Sequence, residues 1–430
     1  MNFIKLFFYR PFFGVNITQF LDTLCNNFLR NAITVAVIFG IIKVGNNAVV
    51  SSLMVAVLML PSFLFMATAG EIADKCPKDA VIKILKIVQF FAALAACVGF
   101  AVGNIWILLA ALFLTGAGAA FLSTAKYSIL PEILPQKNLL AANGIMQFMV
   151  FAAILGGTIL GGIIFSVDTY ILYTVLTVTA LIGVLSAFII PHQTAVAPDT
   201  VVHKNPITAI WNNLSFLLKY KEIIFYTLGI SWFWFVGTVI ISQIPSFTKD
   251  LLHGNDTVFT LFIVLFSVGI GVGTMLCQAI SHGKVSDKLI APCLLIIVLT
   301  LADLAYASFN YVPQQDVISF KTFLAEGQGI RIAADVLLFS VAGGVYIVPL
   351  TTMLQILSPN EARARIIAAS NIINALFMIL GSGFCAVLLL AKISISAILT
   401  VLSVLNIGAF ALYYIKNRFR KNRTKKSASI

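Results

Sequence analysis

The sequence predicts an all-α polytopic membrane protein with twelve transmembrane helices in two six-helix halves, and three observations lead there. The 430 residues are 60% hydrophobic and only 10% charged, and the mean hydropathy is +1.02, whereas soluble domains carry about a quarter charged residues. Apolar runs of about 20 residues, long enough to cross a hydrocarbon core of about 30 Å, recur along the whole chain. Lys and Arg collect in alternate connections between those runs, as topology by the positive-inside rule requires.

The opening segment, MNFIKLFFYRPFFG, is basic and aromatic and leads into the first span without a small-residue cleavage site, so it does not read as a removable signal peptide. The first span is 15–43, and further spans follow at 47–69, 82–102, 104–125, 139–166, 168–190, 223–247, 256–281, 289–309, 332–356, 365–391 and 393–415. Gly103 and Asn104 form the tightest joint between two of them. With the N-terminus inside, 22 of the 28 Lys and Arg fall on the inner side, Lys86 among them; five fall outside (Lys43, Lys249, Lys321, Arg331, Lys392), and Arg30 lies within the membrane. Both termini are therefore expected in the cytoplasm.

Hydrophobicity breaks at the middle of the chain. The expected organisation is an N-terminal six-helix bundle at 1–190, a cytoplasmic linker at 191–221, a C-terminal six-helix bundle at 222–416 and a basic tail at 417–430. Within the linker, Ile207, Ile210, Trp211, Leu214, Leu217 and Leu218 lie at helical spacing, which fits an amphipathic helix resting on the inner face or a plain connector. Two parallel six-helix repeats are an arrangement of secondary transporters, with the site near the midplane.

The first span carries the feature hardest to reconcile with lipid. Asp22, Asn26 and Arg30 fall at i, i+4 and i+8 and share one helix face. A central Asp or Arg costs about 2.5 to 3.5 kcal/mol on the insertion scale, so that face looks into protein or water. Asp22 and Arg30 are about 12 Å apart along the axis and cannot pair directly. The stripe is either a tie between helices or the lining of a transport pathway, with Asn27 beside it.

Other polar residues at membrane depth join the candidates. Lys126 ends the fourth span, placed either to meet Asp22 or to snorkel to the interface. Asn143 with Gln147, and Asn371 with Asn374, share helix faces and would bond neighbouring helices or line the pathway. Asp303 and Asp335 are interface or capping residues, or partners for Arg30. Gly157 and Gly161 form a G-x-x-x-G for close helix packing.

Several chemistries have no support. The net charge of +12 sits in loops and tail and sets topology, so no nucleic-acid partner is implied. The six cysteines, Cys25, Cys76, Cys97, Cys277, Cys293 and Cys385, are scattered without a C-x-x-C pair, and imply neither metal nor disulfide. His282 and Asp287 have acyltransferase spacing but sit in a short loop with no soluble domain around them. Gly269, Gly271 and Gly273 alternate inside an apolar helix and form no phosphate loop. No cofactor or enzymatic activity is expected.

Between the second and third spans the chain reads GEIADKCPKD, 70–79. This resembles the loop signature of the major facilitator superfamily. In that reading Gly70 permits a tight turn and Asp74, with Lys75 and Lys78, forms a conformational latch by accepting from helix N-terminal amides or a basic neighbour. AKYSILPEILPQKNLLAANG at 125–144, GISWFWFVG at 229–237, LFSVGIGVG at 265–273 and SPNEARARIIAASNIINALFM at 358–378 resemble, within that superfamily, the bacterial lysophospholipid transporter branch, whose members occur alone or fused to acyltransferase domains.

The resemblance implies the major facilitator fold, alternating access without nucleotide, and movement of lysophospholipids across the bacterial inner membrane, with possible functional coupling to an acyltransferase. Arg30 would then bind the head-group phosphate. In the first span Gln19, Phe20, Leu21, Asn27, Arg30, Asn31 and Ala32 fit the branch pattern, but Asn26 stands where the branch has Asp and Asp22 where it has a small residue. The acid is displaced by one turn toward the cytoplasm, and either replaces the missing carboxylate on the same face or has a separate structural role. The alternative function is a proton- or cation-coupled transporter of a small amphiphile or metabolite; a non-transporting membrane assembly would leave the polar stripe without a reason.

Overall fold

The computed structural model describes residues 3–38, 42, 47–165, 169–285, 287–313 and 317–427. Lys43, assigned above to the outer side, lies outside the described residues, as does Ser286 in the 282–288 loop. A short helix, α1 (Phe3–Phe7), precedes α2 (Arg10–Ile38), α3 (Asn47–Lys75), α4 (Lys78–Ala101), α5 (Ile105–Ile133), α6 (Leu139–Phe165) and α7 (Thr169–Ala187). The linker holds α8 (Pro206–Leu217). Then come α9 (Lys221–Ser246), α10 (Asp256–Ser281), α11 (Ile290–Phe309), a short α12 (Phe320–Ala325), α13 (Gly327–Leu357), α14 (Arg363–Leu390) and α15 (Ile395–Ser427).

Ten of these helices are long and apolar enough to cross a membrane by length and composition. With α2 and α3, of 29 residues each, the long helices among the described residues number twelve, consistent with the predicted spans. The joint at Gly103 and Asn104 is a true helix break. Gly103 takes φ +64, a left-handed conformation that glycine adopts without Cβ strain, and the Asn104 side chain accepts from Trp106 N at 2.9 Å to start α5. Asn205 caps α8 in the same way, accepting from Ile207 N at 2.9 Å, with Pro206 at the first helical position. The last span does not stop at the basic tail: α15 continues to Ser427.

The chain packs as two compact units, Met1–Thr227 with Thr352–Ile373, and Leu228–Thr351 with Asn374–Ile430. In the first unit α2 is the hub, packed against α5, α6 and α7. The predicted G-x-x-x-G explains how α6 comes so close to it. A Cβ at Gly157 would lie 2.5 Å from Leu24 O, and one at Gly161 would lie 2.7 Å from Phe28 O, so any larger residue would push α6 away from α2. Asn143 of α6 meets the end of α13 inside this same unit: its Nδ2 donates to Gln355 Oε1 at 2.6 Å and Gln355 Nε2 donates back at 3.2 Å. A reciprocal amide pair of this kind satisfies both groups where water is absent.

The linker is fastened along the α3–α4 turn. Gln193 N donates to Asp79 Oδ1 at 3.0 Å, Ala197 N to Asp74 O at 3.0 Å and His203 N to Glu71 Oε2 at 2.8 Å. Helix α8 then docks on α3 through Ala209, Asn213 and Leu217, with Asn213 Nδ2 donating to Ala67 O at 2.9 Å. Ile207, Trp211 and Leu218 stay exposed. In the second unit, Ser231 Oγ donates to Asn374 Oδ1 at 2.7 Å and Trp232 Nε1 to Asn406 Oδ1 at 2.9 Å, tying α9 to α14 and α15.

Candidate substrate-binding site

Five of the predicted pathway residues line one cavity in the first unit. The cavity, of about 300 Å³, lies among α2, α3 and α5, and its wall includes Asp22, Asn26, Asn27, Arg30 and Lys126. Ser62, Ser123, Gly116, Ala119 and Leu122 complete much of the rest. Helical periodicity puts the α2 residues on one face, and the Gly157–Gly161 seam, by fixing α6 on the opposite side of α2, leaves that face open to the cavity.

Asp22 does not meet Lys126 as an ion pair. Its Oδ1 takes the ammonium of Lys86, on α4, at 3.1 Å. Its Oδ2 accepts from Asn26 Nδ2 at 3.2 Å, and Asn26 Oδ1 accepts from Gln89 Nε2 at 2.9 Å. Gln89 Oε1 also accepts from Lys86 Nζ. Lys86 is 1% exposed, and Gly183 of α7 makes room for it, since a Cβ there would lie 2.9 Å from Lys86 Cε.

Lys86 is thus no loop residue of the inner side, as assigned from the sequence, but a buried membrane-helix lysine. It falls in the 82–102 span, so the argument that singled out Asp22 would have found it. Gln89, one turn further along α4, carries the same signal.

Lys126 instead sits over the ring of Tyr127, with Nζ 5.0 Å from the centroid. Arg30 Nη2 donates to Asn27 Oδ1 at 3.0 Å, and Asn27 Nδ2 donates to Thr23 O at 2.8 Å. No carboxylate lies within ion-pair distance of Arg30 among the described residues. In the second unit Asp303 is engaged by Arg331, whose Nε donates to Asp303 Oδ2 at 2.9 Å; Asp335 lies beside Asp303.

The remaining pathway candidates separate. Asn371 Nδ2 donates to the cavity residue Ser123 at 3.4 Å and approaches Met66 Sδ at 3.8 Å, so it backs the α5 wall. Gln147 is buried on α6 and does not line the cavity. Asn374 belongs to the second unit, where Ser231 holds it.

At the α3–α4 turn, Asp74 is fully buried. Its oxygens accept from Ala364 N at 2.9 Å and Arg365 N at 3.1 Å, amides in the first turn of α14, and from Arg365 Nε at 3.3 Å. Anion on helix N-terminus is the favourable pairing with the helix dipole. Burial pushes this carboxyl, beyond the 47–69 span, up from its ordinary range, and the Ala364 and Arg365 amides oppose that shift.

Gly70 does not turn the chain: α3 continues through it to Lys75. Its bare Cα instead lets α14 approach, a Cβ there lying 2.6 Å from Ala368 Cβ. Lys78 is buried against Glu132 at 2.7 Å, joining α4 to the end of α5. Lys75 is exposed. Glu71, which the sequence reading passed over, clasps the linker through His203 Nδ1 at 2.9 Å as well as its amide.

A second cavity, of about 760 Å³, lies between the linker, α8 and this turn. There His203 of the linker bonds to Glu71 through one ring nitrogen and to Asn212 through the other, which holds the linker, while Arg365 bonds to Asp74.

The major facilitator superfamily model matches residues 16–382. The lysophospholipid transporter LplT of Photorhabdus laumondii subsp. laumondii is 26% identical over 375 residues, covering 85% of this chain and 86% of that one. LplT of Enterobacter sp. (strain 638) is 27% identical over 297 residues, 68% of each chain. Among solved structures, the Escherichia coli fucose:proton symporter FucP superposes with a TM-score of 0.69 at 15% identity over 95% of this chain and 98% of that one. A bacterial homologue of the iron transporter ferroportin gives 0.67 at 16% identity, over 94% and 98%. The two structures attest the fold, and the family match spans most of the chain. With its long helices, its buried Asp74 on the start of α14 and the family match over residues 16–382, this multi-pass membrane protein belongs to the major facilitator superfamily.

Proposed function

We propose that the chain moves lysophospholipids across the bacterial inner membrane by alternating access of its two six-helix halves, without nucleotide and with both termini in the cytoplasm. The observation that carries the reading is Arg30, a guanidinium in the wall of a membrane-depth cavity, held by an amide and, among the described residues, without an acid in ion-pair reach. A guanidinium in that position suits a phosphate, which it can grip through two parallel charge-assisted bonds. The relatives named as lysophospholipid transporters, the Photorhabdus one matched over 85% of this chain, support the same substrate. Functional coupling to an acyltransferase that consumes the delivered lysolipid belongs to this proposal.

Reconstitution tests it. Purified protein in liposomes is expected to transfer a lysophospholipid between leaflets with no ATP present, and to transfer a diacyl lipid far more slowly, because a second chain must pass the same helices. Lysolipid that stays in its leaflet, while a soluble amphiphile is carried under an imposed proton gradient, would replace this reading with that of a coupled transporter.

A further inference from the structure

We infer that the cavity among α2, α3 and α5 selects lysophospholipids with a net anionic head group, such as a phosphoglycerol, over zwitterionic ones such as a phosphoethanolamine. The inference rests on the lysolipid reading above and adds to it the charge of the head group. Among the described residues lining the cavity the ionisable ones are Asp22, Arg30 and Lys126, and Asp22 is the one acid of the three. Its two oxygens are already occupied, by Lys86 Nζ at 3.1 Å and by Asn26 Nδ2 at 3.2 Å.

Lys86 neutralises Asp22 from behind the wall. It is held by Gln89 as well, in the space left at Gly183. Breaking such a buried pair leaves an uncompensated charge in a poorly solvated place, so Asp22 is not free to turn toward a substrate ammonium.

Among the described residues neither of the other two ionisable groups is ion-paired, and the acid that acts on Lys126 from a distance, Asp22, is already held by Lys86. Arg30 is held by the Asn27 carboxamide at 3.0 Å, and Lys126 lies over the Tyr127 ring at 5.0 Å. Among the described residues one carboxylate therefore faces three cations, counting Lys86, and the wall carries two positive charges in excess. A phosphodiester satisfies either of them. The ammonium of an ethanolamine head group, a few bonds from that phosphate, would meet the second cation instead of an acid, and like charges at short range in a low-dielectric cavity repel strongly. A glycerol head group brings hydroxyls, which Asn27, Ser62 and Ser123 in the same wall can bond.

The test uses the full protein in phosphatidylcholine liposomes and compares lysophosphatidylglycerol with lysophosphatidylethanolamine of the same acyl chain. The expected result is faster transfer of the glycerol lipid by about tenfold, equivalent to about 1.4 kcal/mol. Lys86→Gln, which releases Asp22, should narrow the ratio. Ser62→Asp, which adds a carboxylate to the wall without touching the Asp22–Lys86 pair, should narrow it too and provides the same test if Lys86→Gln does not fold. Equal rates, or preference for the ethanolamine lipid, would overturn the inference and leave the lysolipid reading standing. A glycerol preference that neither substitution changes would remove cavity charge as its cause, and transfer of neither lipid would overturn the lysolipid reading itself.

Discussion

Lys86 Nζ lies 3.1 Å from Asp22 Oδ1 and joins α4 to α2, with Lys86 fully and Asp22 largely buried. Removing one member of a buried pair costs about 3 to 5 kcal/mol, because the other is left charged and unsolvated. Lys86→Ala should therefore lower the thermal stability of the detergent-purified protein by several degrees. The neutral double variant Asp22→Asn with Lys86→Gln should recover most of that loss, and a double variant as unstable as the single one would show that shape, not charge, holds the helices there.

Asp74 caps the start of α14 and Gly70 lets that helix come close. Losing an N-cap costs about 1 kcal/mol. Asp74→Ala and Gly70→Leu should each insert at normal levels yet depress transport strongly, measured as initial rates in liposomes. Rates equal to the unmodified protein in both would remove the latch role.

The amides of Asn143 and Gln355 bond to each other in both directions. A double-mutant cycle to Ala at the two positions should give a coupling of about 1 kcal/mol in unfolding measurements, typical of a buried neutral pair. A coupling near zero would mean that Thr352 and Tyr127, their other partners, hold each amide independently.

Topology is best probed at Lys75, which is exposed, and not at Lys78, buried against Glu132. In a cysteine-free background, a cysteine at Lys75 should react with a membrane-impermeant maleimide only when the cytoplasmic side is opened. Reaction from the periplasm would invert the proposed orientation.

The spans and the Gly103–Asn104 joint were legible in the sequence because hydropathy and capping chemistry act locally. The stripe on α2 was legible for a similar reason: periodicity places Asp22, Asn26 and Arg30 on one face whatever surrounds them. Pairing was not legible, since it depends on which helices meet. Lys86 was assigned to a loop by a count that credits every basic residue near a span end to the water, although snorkelling and burial look alike to such a count. Gly70 was assigned a turn because glycine and a following charged run commonly mark one, whereas here the missing Cβ serves the approach of α14. The clasp of Glu71 on His203 spans 132 positions and leaves no local signature.

The central claim is that Arg30 grips the phosphate of a lysolipid, and the most direct measurement is transfer by Arg30→Gln in liposomes, with insertion and folding checked alongside. The account predicts that lysophospholipid transfer falls by at least tenfold, while uptake of a cationic dye falls little or rises. Lysophospholipid transfer at the rate of the unmodified protein, or a loss confined to the cationic dye, would contradict it.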